Sequence, residues 1–470
     1  SYVKAFVLGD NQDLDGNMEV IYQENGITHL LAVSGSHTTF LAAALLIFLK
    51  RFRYRHIIIS LTLIFYAFLT NFTPSILRAV FLFILNKYDK KKTIILTACL
   101  MLLYNPYYIY NVGFLFSFII CFYLIYFGKL TDKFKNYFIK LLITSLICFI
   151  ASIPVMINNF YYINIMSPLI NLIFIPFVTF IIFPLCLVVL FFPWFDNLLL
   201  FILNIMEQLS LFFNQINFNI VMCKINIWFF ILYYIIITFI FIKPKYFYVL
   251  MIMIFIHTNI KYFNQNSYLT IIDVGQGDSI LLELKNKNIL IDTGGNSFSD
   301  YNMATNKLIP YFKSLGIKKL DYLILTHGDY DHMGEAINLV NDFKINKVIF
   351  NNGEYCDLEL DLISILKDKS INYYQNIKQL NIGNNRLYFL NNELYDNEND
   401  NSIVLYMEIK DNKMLFMGDA GIEVEKDITE KYNLNDIDIL KVGHHGSKTS
   451  SSEEFIDIIN PQYSIISVGK

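Results

Sequence analysis

Cysteine is scarce in this chain, and what there is cannot build a disulfide framework. Five of the six cysteines (Cys99, Cys121, Cys148, Cys186 and Cys223) lie in or beside apolar blocks, and Cys356 stands alone in the remainder. Packing as small apolar residues accounts for them better than pairing does. No cleavable signal peptide is legible at the start. Long apolar runs are absent after about Lys261, although 55% of the whole chain is hydrophobic. That concentration excludes one ordinary soluble domain, so two unlike parts share the chain. Charge divides at the same place: residues 1–262 carry 18 Lys+Arg against 9 Asp+Glu, a net of +9, and the rest carries 19 against 31, a net of −12.

Residues 1–26 are polar and acidic (Asp10, Asp13, Asp15, Glu19, Glu24), which suits a short helix or loop at a membrane surface. About ten apolar segments follow, at 27–49, 57–72, 75–85, 93–104, 107–127, 141–157, 163–192, 198–213, 225–242 and 246–260. Several fall short of a standard span, which predicts tilted, broken or re-entrant helices. Basic loops at 50–55, 87–92 and 129–140 each follow an odd-numbered crossing and are cytoplasmic by the positive-inside rule. Counting on with one crossing for 163–192 puts the basic stretch 243–245 inside and carries the chain out through the last segment. If the polar positions Asn204, Glu207 and Gln208 make 198–213 interfacial, Pro168, Pro176 and Pro184 would let 163–192 cross twice, with the same parity. In the first segment His29, Val33 and His37 recur every four residues and share a helix face. An ionisable group facing lipid costs on the order of 3 kcal/mol or more, so His29, Ser34, His37 and Arg78 are expected to face a hydrated cavity or a partner. Hydrogen bonding between helices is the alternative.

The acidic remainder opens with strands at 269–273, 279–284 and 289–291, separated by turn residues Gly275, Gly277 and Asn286. Its chemistry gathers at strand ends. The apolar run 321–325 leads into Thr326-His327-Gly328-Asp329-Tyr330-Asp331-His332, ahead of a helical 334–340. The strand 414–417 ends in Gly418-Asp419, and 437–442 ends in His444-His445. Imidazole nitrogens and carboxylate oxygens on tight loops suit Zn²⁺ or Mn²⁺, with Mg²⁺ admissible, at one or two centres. A solvated turn with helix-capping aspartates would explain one such cluster but not three.

The loop resembles the metallo-β-lactamase superfamily, whose pattern is His-x-His-x-Asp-His; here Asp329 stands where the second His usually does. Together with Asp273-Val274-Gly275-Gln276-Gly277-Asp278-Ser279, Ile291-Asp292-Thr293-Gly294 and Lys441-Val442-Gly443-His444-His445-Gly446-Ser447, it resembles the hydrolase-like domain of the ComEC family of DNA-uptake channels. The membrane half is similar to that family at Leu31-Ala32-Val33-Ser34-Gly35-Ser36-His37, with Ser36 where the family often has Leu, at Pro74-Ser75-Ile76-Leu77-Arg78-Ala79 and at 113–118.

The resemblance implies a polytopic α-helical membrane domain (27–262) and an α/β metallo-β-lactamase-like αββα sandwich (263–470). It implies metal ligation by His327, Asp329, Asp331, His332, Asp419 and His445. Asp331, Asp419 and His445 would be the catalytic groups, with Asp292, Asp278 and His444 supporting them. The family's usual histidine between the loop and Asp419 is replaced by Asp400-Asn401-Ser402. Family members continue past residue 470 with another histidine-bearing loop, and many begin with a small β-barrel, so a fragment or reduced form is expected.

The function this implies is translocation of single-stranded DNA across a bacterial cell membrane during transformation. A tethered extracytoplasmic metal-dependent nuclease would degrade the other strand. Membrane lipid, a DNA receptor and a cytoplasmic motor are the implied partners, and a homo-oligomer is left open. The alternatives are a membrane-anchored phosphodiesterase without transport and a channel with an inactive hydrolase domain. The net −12 opposes DNA binding unless cations such as Lys285, Lys287, Lys441 and Lys448 gather beside the metals.

Overall fold

The computed structural model describes residues 2–31, 34–85, 88–216, 218–264, 266–285, 287–295, 301–383 and 385–469, without the Ser36 side chain. Val33, Lys87 and Asn286, singled out above, lie outside them. The chain forms two compact units, Ser1–His257 and Thr258–Lys470.

The first unit is helical, and its helices begin where short polar side chains can take the place of missing backbone acceptors. Asp89, Asn111, Asn136 and Asn226 each accept a hydrogen bond from the first turn that follows them. Among the described residues four helical runs are long and apolar enough to cross a bilayer: Val112–Lys133, Tyr137–Phe160, Ser167–Phe191 and Pro193–Gln215. At about 1.5 Å per residue, 22 to 25 residues exceed the ~30 Å hydrocarbon core. Five shorter apolar helices accompany them, including Arg55–Leu69, Pro74–Ile84 and Ile227–Ile242.

The three prolines of 163–192 do not break that segment in two. Pro168 opens the helix, and around Pro176 and Pro184 the backbone widens into a π turn, Val178–Ile182, before resuming as Phe183–Phe191. A proline removes a donor and crowds the preceding turn; one wider turn relieves both without reversing the chain. Strand β1 (Tyr162–Asn164) pairs antiparallel with β2 (Asn219–Val221), bracketing the two helices between them. The acidic leading segment folds as two short helices, Tyr2–Leu8 and Gly16–Glu24. Phe6 and Tyr22 are fully buried against Phe174, Phe183 and Leu203, so this segment belongs to the unit's packing rather than lying free. Glu207 accepts from Tyr2 at 2.6 Å, which gives one of the polar positions of 198–213 a partner inside the protein, while Asn204 and Gln208 are exposed.

The second unit is a four-layer αββα sandwich. One sheet runs β3 (Tyr268–Ile271), β4 (Ile280–Leu284), β5 (Lys287–Ile291), β6 (Tyr322–Ile324), β7 (Lys347–Ile349), β8 (Asn372–Tyr374), antiparallel up to β5 and parallel from there. The other contains β9 (Gln379–Ile382), β10 (Asn385–Phe389), β11 (Leu405–Ile409), β12 (Asn412–Phe416), β13 (Ile439–Lys441) and β14 (Tyr463–Ile465). It runs antiparallel from β9 to β12 and parallel from β12 to β14.

Side-chain alternation assigns the layers. Ile280, Leu282, Ile289, Ile291 and Ile324 meet Leu387, Leu405, Met407 and Phe416 between the sheets. Leu281, Leu290, Leu323 and Val348 point to one outer helical layer, and Val404, Leu415 and Leu440 to the other. Both parallel edges need crossover helices, so β5, β6, β12 and β13 deliver their C-terminal ends to one rim.

Candidate metal centre

Four loops leave that rim. Asp292 follows β5, residues 326–332 follow β6, Asp419 follows β12, and residues 443–446 follow β13. Asp292 anchors the cluster. Buried and in the left-handed region (φ 57°), its carboxylate accepts from the Thr326 amide at 2.8 Å, the Thr326 hydroxyl at 2.7 Å and His332 Nδ1 at 2.9 Å. The glycine-rich turn 275–278 packs on the same loop: a Cβ on Gly277 (φ +115°) would overlap the Asp331 carbonyl, and the Asp278 amide donates to that carbonyl at 3.2 Å.

These contacts fix the histidine tautomers. His332 gives its Nδ1 proton to Asp292, and His445 gives its own to the Ser467 carbonyl at 3.0 Å. Thr326 spends its hydroxyl proton on Asp292, so at 3.1 Å it accepts from His327 Nδ1. In the neutral rings the three Nε2 atoms therefore carry lone pairs, and they face carboxylates that can only accept. Nε2 of His332 lies 3.3 Å from Nε2 of His445 and 3.1 Å from Asp419 Oδ1. Nε2 of His445 lies 3.3 Å from Asp331 and 3.5 Å from Asp419 Oδ2. Buried His327 Nε2 has no hydrogen-bond partner and sits 3.5 Å from Asp329 and 4.0 Å from Asp419.

Such a set is satisfied only by positive charge, either protons taken up on Nε2 or a bound cation. Tetrahedral ligands bonded at 2.0–2.1 Å stand about 3.4 Å apart, the spacing found among Asp331, His332, His445 and Asp419. Asp419 also belongs to a second ligand-capable group with His327 and His332, so it stands between two positions. The residues present fit a divalent metal on the chemistry of this donor set.

Without a cation the imidazoles hold protons instead. Burial works to lower the His332 pKa, but Asp292 and Asp419 outweigh it and hold it well above the ordinary histidine value. His445 is raised by Asp331, Asp419 and Asp278 against its own burial. Burial would raise Asp419, yet the surrounding imidazoles hold it well below the usual carboxylate range.

The six expected ligands thus come together, whereas His444 does not join them. It faces Thr449 Oγ1 at 2.9 Å and Asn399 at 3.5 Å, because consecutive left-handed residues (φ 46° and 52°) turn the two histidines to different sides. In the interval 400–402, where a histidine is usual, Ser402 Oγ accepts from the Asp419 amide at 3.1 Å and Asp400 accepts from Gly421 at 2.7 Å. Those residues shape the Asp419 turn instead of supplying a ligand.

Lys441, expected among DNA-facing cations, is buried and paired with Asp278 at 2.7 Å. Lys287 pairs with Asp321 at 2.8 Å. Thr326 and the Ser467 carbonyl were not identified from sequence; adjacency of Thr326 to His327 was the available signal for the first, and a backbone acceptor leaves none. In the helical unit, His37 is buried, accepts from the Ser34 amide at 3.2 Å through Nδ1, and stacks on Phe183 at 4.3 Å. Its Nε2 and Arg78 Nε are buried without hydrogen-bond partners, and Arg78 Nη2 lies against Gly35. His29 is exposed on the surface of this unit.

The family model described as a competence protein matches residues 6–246, and that described as the metallo-beta-lactamase superfamily matches 272–470. ComE operon protein 3 of Bacillus subtilis (strain 168) is 30% identical over 522 residues, covering 100% of this chain and 66% of that protein. Recombination protein 2 of Haemophilus influenzae is 32% identical over 207 residues, covering 42% of this chain and 24% of its own length. Competence protein ComA of Neisseria gonorrhoeae is 26% identical over 214 residues, covering 43% and 27%. The chain spans just under two thirds of the first of these relatives and about a quarter of the other two.

Proposed function

This chain belongs to the competence protein family and carries a metallo-beta-lactamase superfamily domain, and from that premise we propose that it takes up DNA in transformation. The helical unit passes one strand across the cell membrane, and the second unit hydrolyses phosphodiester bonds of the other outside the cytoplasm. The observation that carries the hydrolase reading is the convergence of Asp331, His332, His445 and Asp419, with His327 and Asp329 flanking. These residues would hold one divalent cation or two sharing Asp419. Such an ion lowers the pKa of bound water to around neutrality and screens the charge of a phosphodiester. Asp292, Thr326 and the Ser467 carbonyl keep the imidazoles aimed. His445, the most exposed of the three histidines, is placed to ligate or to pass a proton to the leaving oxygen.

Two observations support the multi-pass topology. Basic loops follow the odd-numbered crossings. The β1–β2 ladder returns the chain to its starting side after two helices, as the parity requires. For the path itself, His37 and Arg78 present buried nitrogens without protein acceptors, groups that a hydrated, phosphate-bearing strand would satisfy. Ser34 holds His37 in place, and His29 lies exposed four residues before Val33. A DNA receptor, a cytoplasmic motor and a homo-oligomer remain the partners this reading calls for.

The test is cleavage of end-labelled DNA by the purified full chain in nanodiscs with Mn²⁺, Mg²⁺ or Zn²⁺, beside Asp331→Ala. Metal-dependent cleavage lost in the variant is the expected result. Cleavage unchanged by Asp331→Ala, or absent with every metal, would remove the nuclease reading.

A further inference from the structure

Lys441 is among the largest fully buried side chains of the protein. It lies on β13, clamped between β12 and β14 at Phe416 and Ile465, and cannot swing to the surface. Its ammonium donates to the Val442 carbonyl at 2.9 Å and meets Asp278 Oδ2 at 2.7 Å. Asp278, itself 2% exposed, comes from the glycine-rich turn that packs on the metal loop. Its other oxygen, Oδ1, is buried with no hydrogen-bond partner.

This carboxylate is within ligand range of the centre. It forms one group of mutually close donor atoms with Asp419 and His445 and another with Asp292 and His332, all within 4.8 Å. A carboxylate so placed would ordinarily be claimed by a cation, and one oxygen already is, by a fixed ammonium. Stability alone is a weak account of the pair, because a buried ion pair is usually matched or exceeded by apolar residues of the same volume.

We propose that Lys441 is a positioning residue whose ammonium holds Asp278 as a non-ligating carboxylate on the floor of the centre. Releasing that hold adds Asp278 to the ligand set. The proposal rests on the reading of the rim cluster as a divalent-metal site. Asp278, one oxygen of which is unpartnered, would otherwise share a cation with Asp419 and His445. An additional carboxylate ligand would make the centre hold its ion more tightly and leave fewer positions for water and substrate. Lys441 thereby keeps the centre open.

The test measures Mn²⁺ affinity of the full chain in detergent by chelator competition, with thermal unfolding recorded with and without Mn²⁺. Lys441→Met should bind Mn²⁺ about tenfold more tightly than the unsubstituted protein, because ligand charge count tunes affinity, and gain more in Tm from the ion. Lys441→Met/Asp278→Asn should return to within about twofold of the starting affinity, since Asn cannot replace the carboxylate. A Lys441→Met chain that folds only with Mn²⁺ supports the proposal. Unchanged or weaker binding, failure to fold at saturating Mn²⁺, or tighter binding that persists in the double variant overturns it. Asp331→Ala tests the underlying reading separately: if it binds Mn²⁺ as well as the unsubstituted protein, the metal site itself is misassigned.

Discussion

Replacing Thr326 by Val keeps the shape of a buried side chain and deletes one oxygen, the atom through which Asp292 reaches His327. Two consequences follow. The 2.7 Å bond to the Asp292 carboxylate is lost, and the His327 Nδ1 proton, 3.1 Å from the missing oxygen, is left buried without an acceptor. A hydrogen bond to a charged group contributes about 1.5–3 kcal/mol and an orphaned buried donor costs about 1–3 kcal/mol. The two share an atom and do not add fully, so a loss of about 2–4 kcal/mol is expected. For a unit of this size that is a Tm lowered by roughly 4–16 °C. Asp292 keeps the Thr326 amide and His332, so the fold should survive.

Metal binding should suffer more specifically. His327 becomes free to place its proton on Nε2, the atom meant for the cation, and a loss of about 10–100-fold in Mn²⁺ affinity follows. Thr326→Ser, which retains the oxygen, should stay within about threefold of the starting protein. Calorimetric titration of Mn²⁺ into the metal-stripped chain, with Tm measured alongside, provides the check. A folded Thr326→Val protein with undiminished affinity would refute the argument that this hydroxyl sets the His327 tautomer.

Four further outcomes are expected. His445→Ala should lose Mn²⁺ affinity by about tenfold or more while His444→Ala changes it little; equal effects in chelator competition would contradict the opposite orientation of the two rings. Raised histidine values contribute stability that is full below about pH 6.5 and is lost as the pH rises through them, whereas cation binding displaces those protons. The Tm of stripped protein should therefore fall as the pH rises above about 6.5 while the gain from Mn²⁺ grows, with His332 and His445 the groups responsible; a gain that shrinks with pH contradicts this. An impermeant maleimide should label Asp411→Cys on intact cells and Arg53→Cys only after permeabilisation, and equal labelling of both would overturn the crossing count. Arg78→Gln should lower DNA internalisation without altering membrane insertion or Mn²⁺-dependent cleavage, and normal internalisation would remove it from the DNA path.

The sequence made strand ends legible because continuous apolar runs such as 321–325 stop abruptly at polar clusters, and the rim of the sandwich is assembled from those stops. It also fixed which half is membrane-like, since no soluble core consumes ten apolar segments. Contacts made between distant positions were illegible. Ser402 and Asp400 serve the Asp419 turn across 17 and 21 residues, and Lys441 lies in the sequence as an ordinary surface-type cation although the sheet buries it. His444 and His445 are indistinguishable by composition and neighbourhood; only backbone angles that favour neither residue separate them. The leading helices were read as surface elements because five carboxylates outweigh Phe6 and Tyr22 on average, while their burial depends on which side of a short helix each occupies.

The small ladder of β1 and β2 has a mechanical meaning. Tyr162, Ile163 and Asn164 are buried, and the pairing is extended by hydrogen bonds from Ile165 to Phe218 and from Met222 to Tyr161. With its first strand buried, the ladder acts as a clasp. The helices Ser167–Phe191 and Pro193–Gln215 are thus tied at both ends, by the ladder at one and by the short connection through Phe192 at the other. Cutting the connection between the two helices, at Phe192, should leave them still yoked through the ladder.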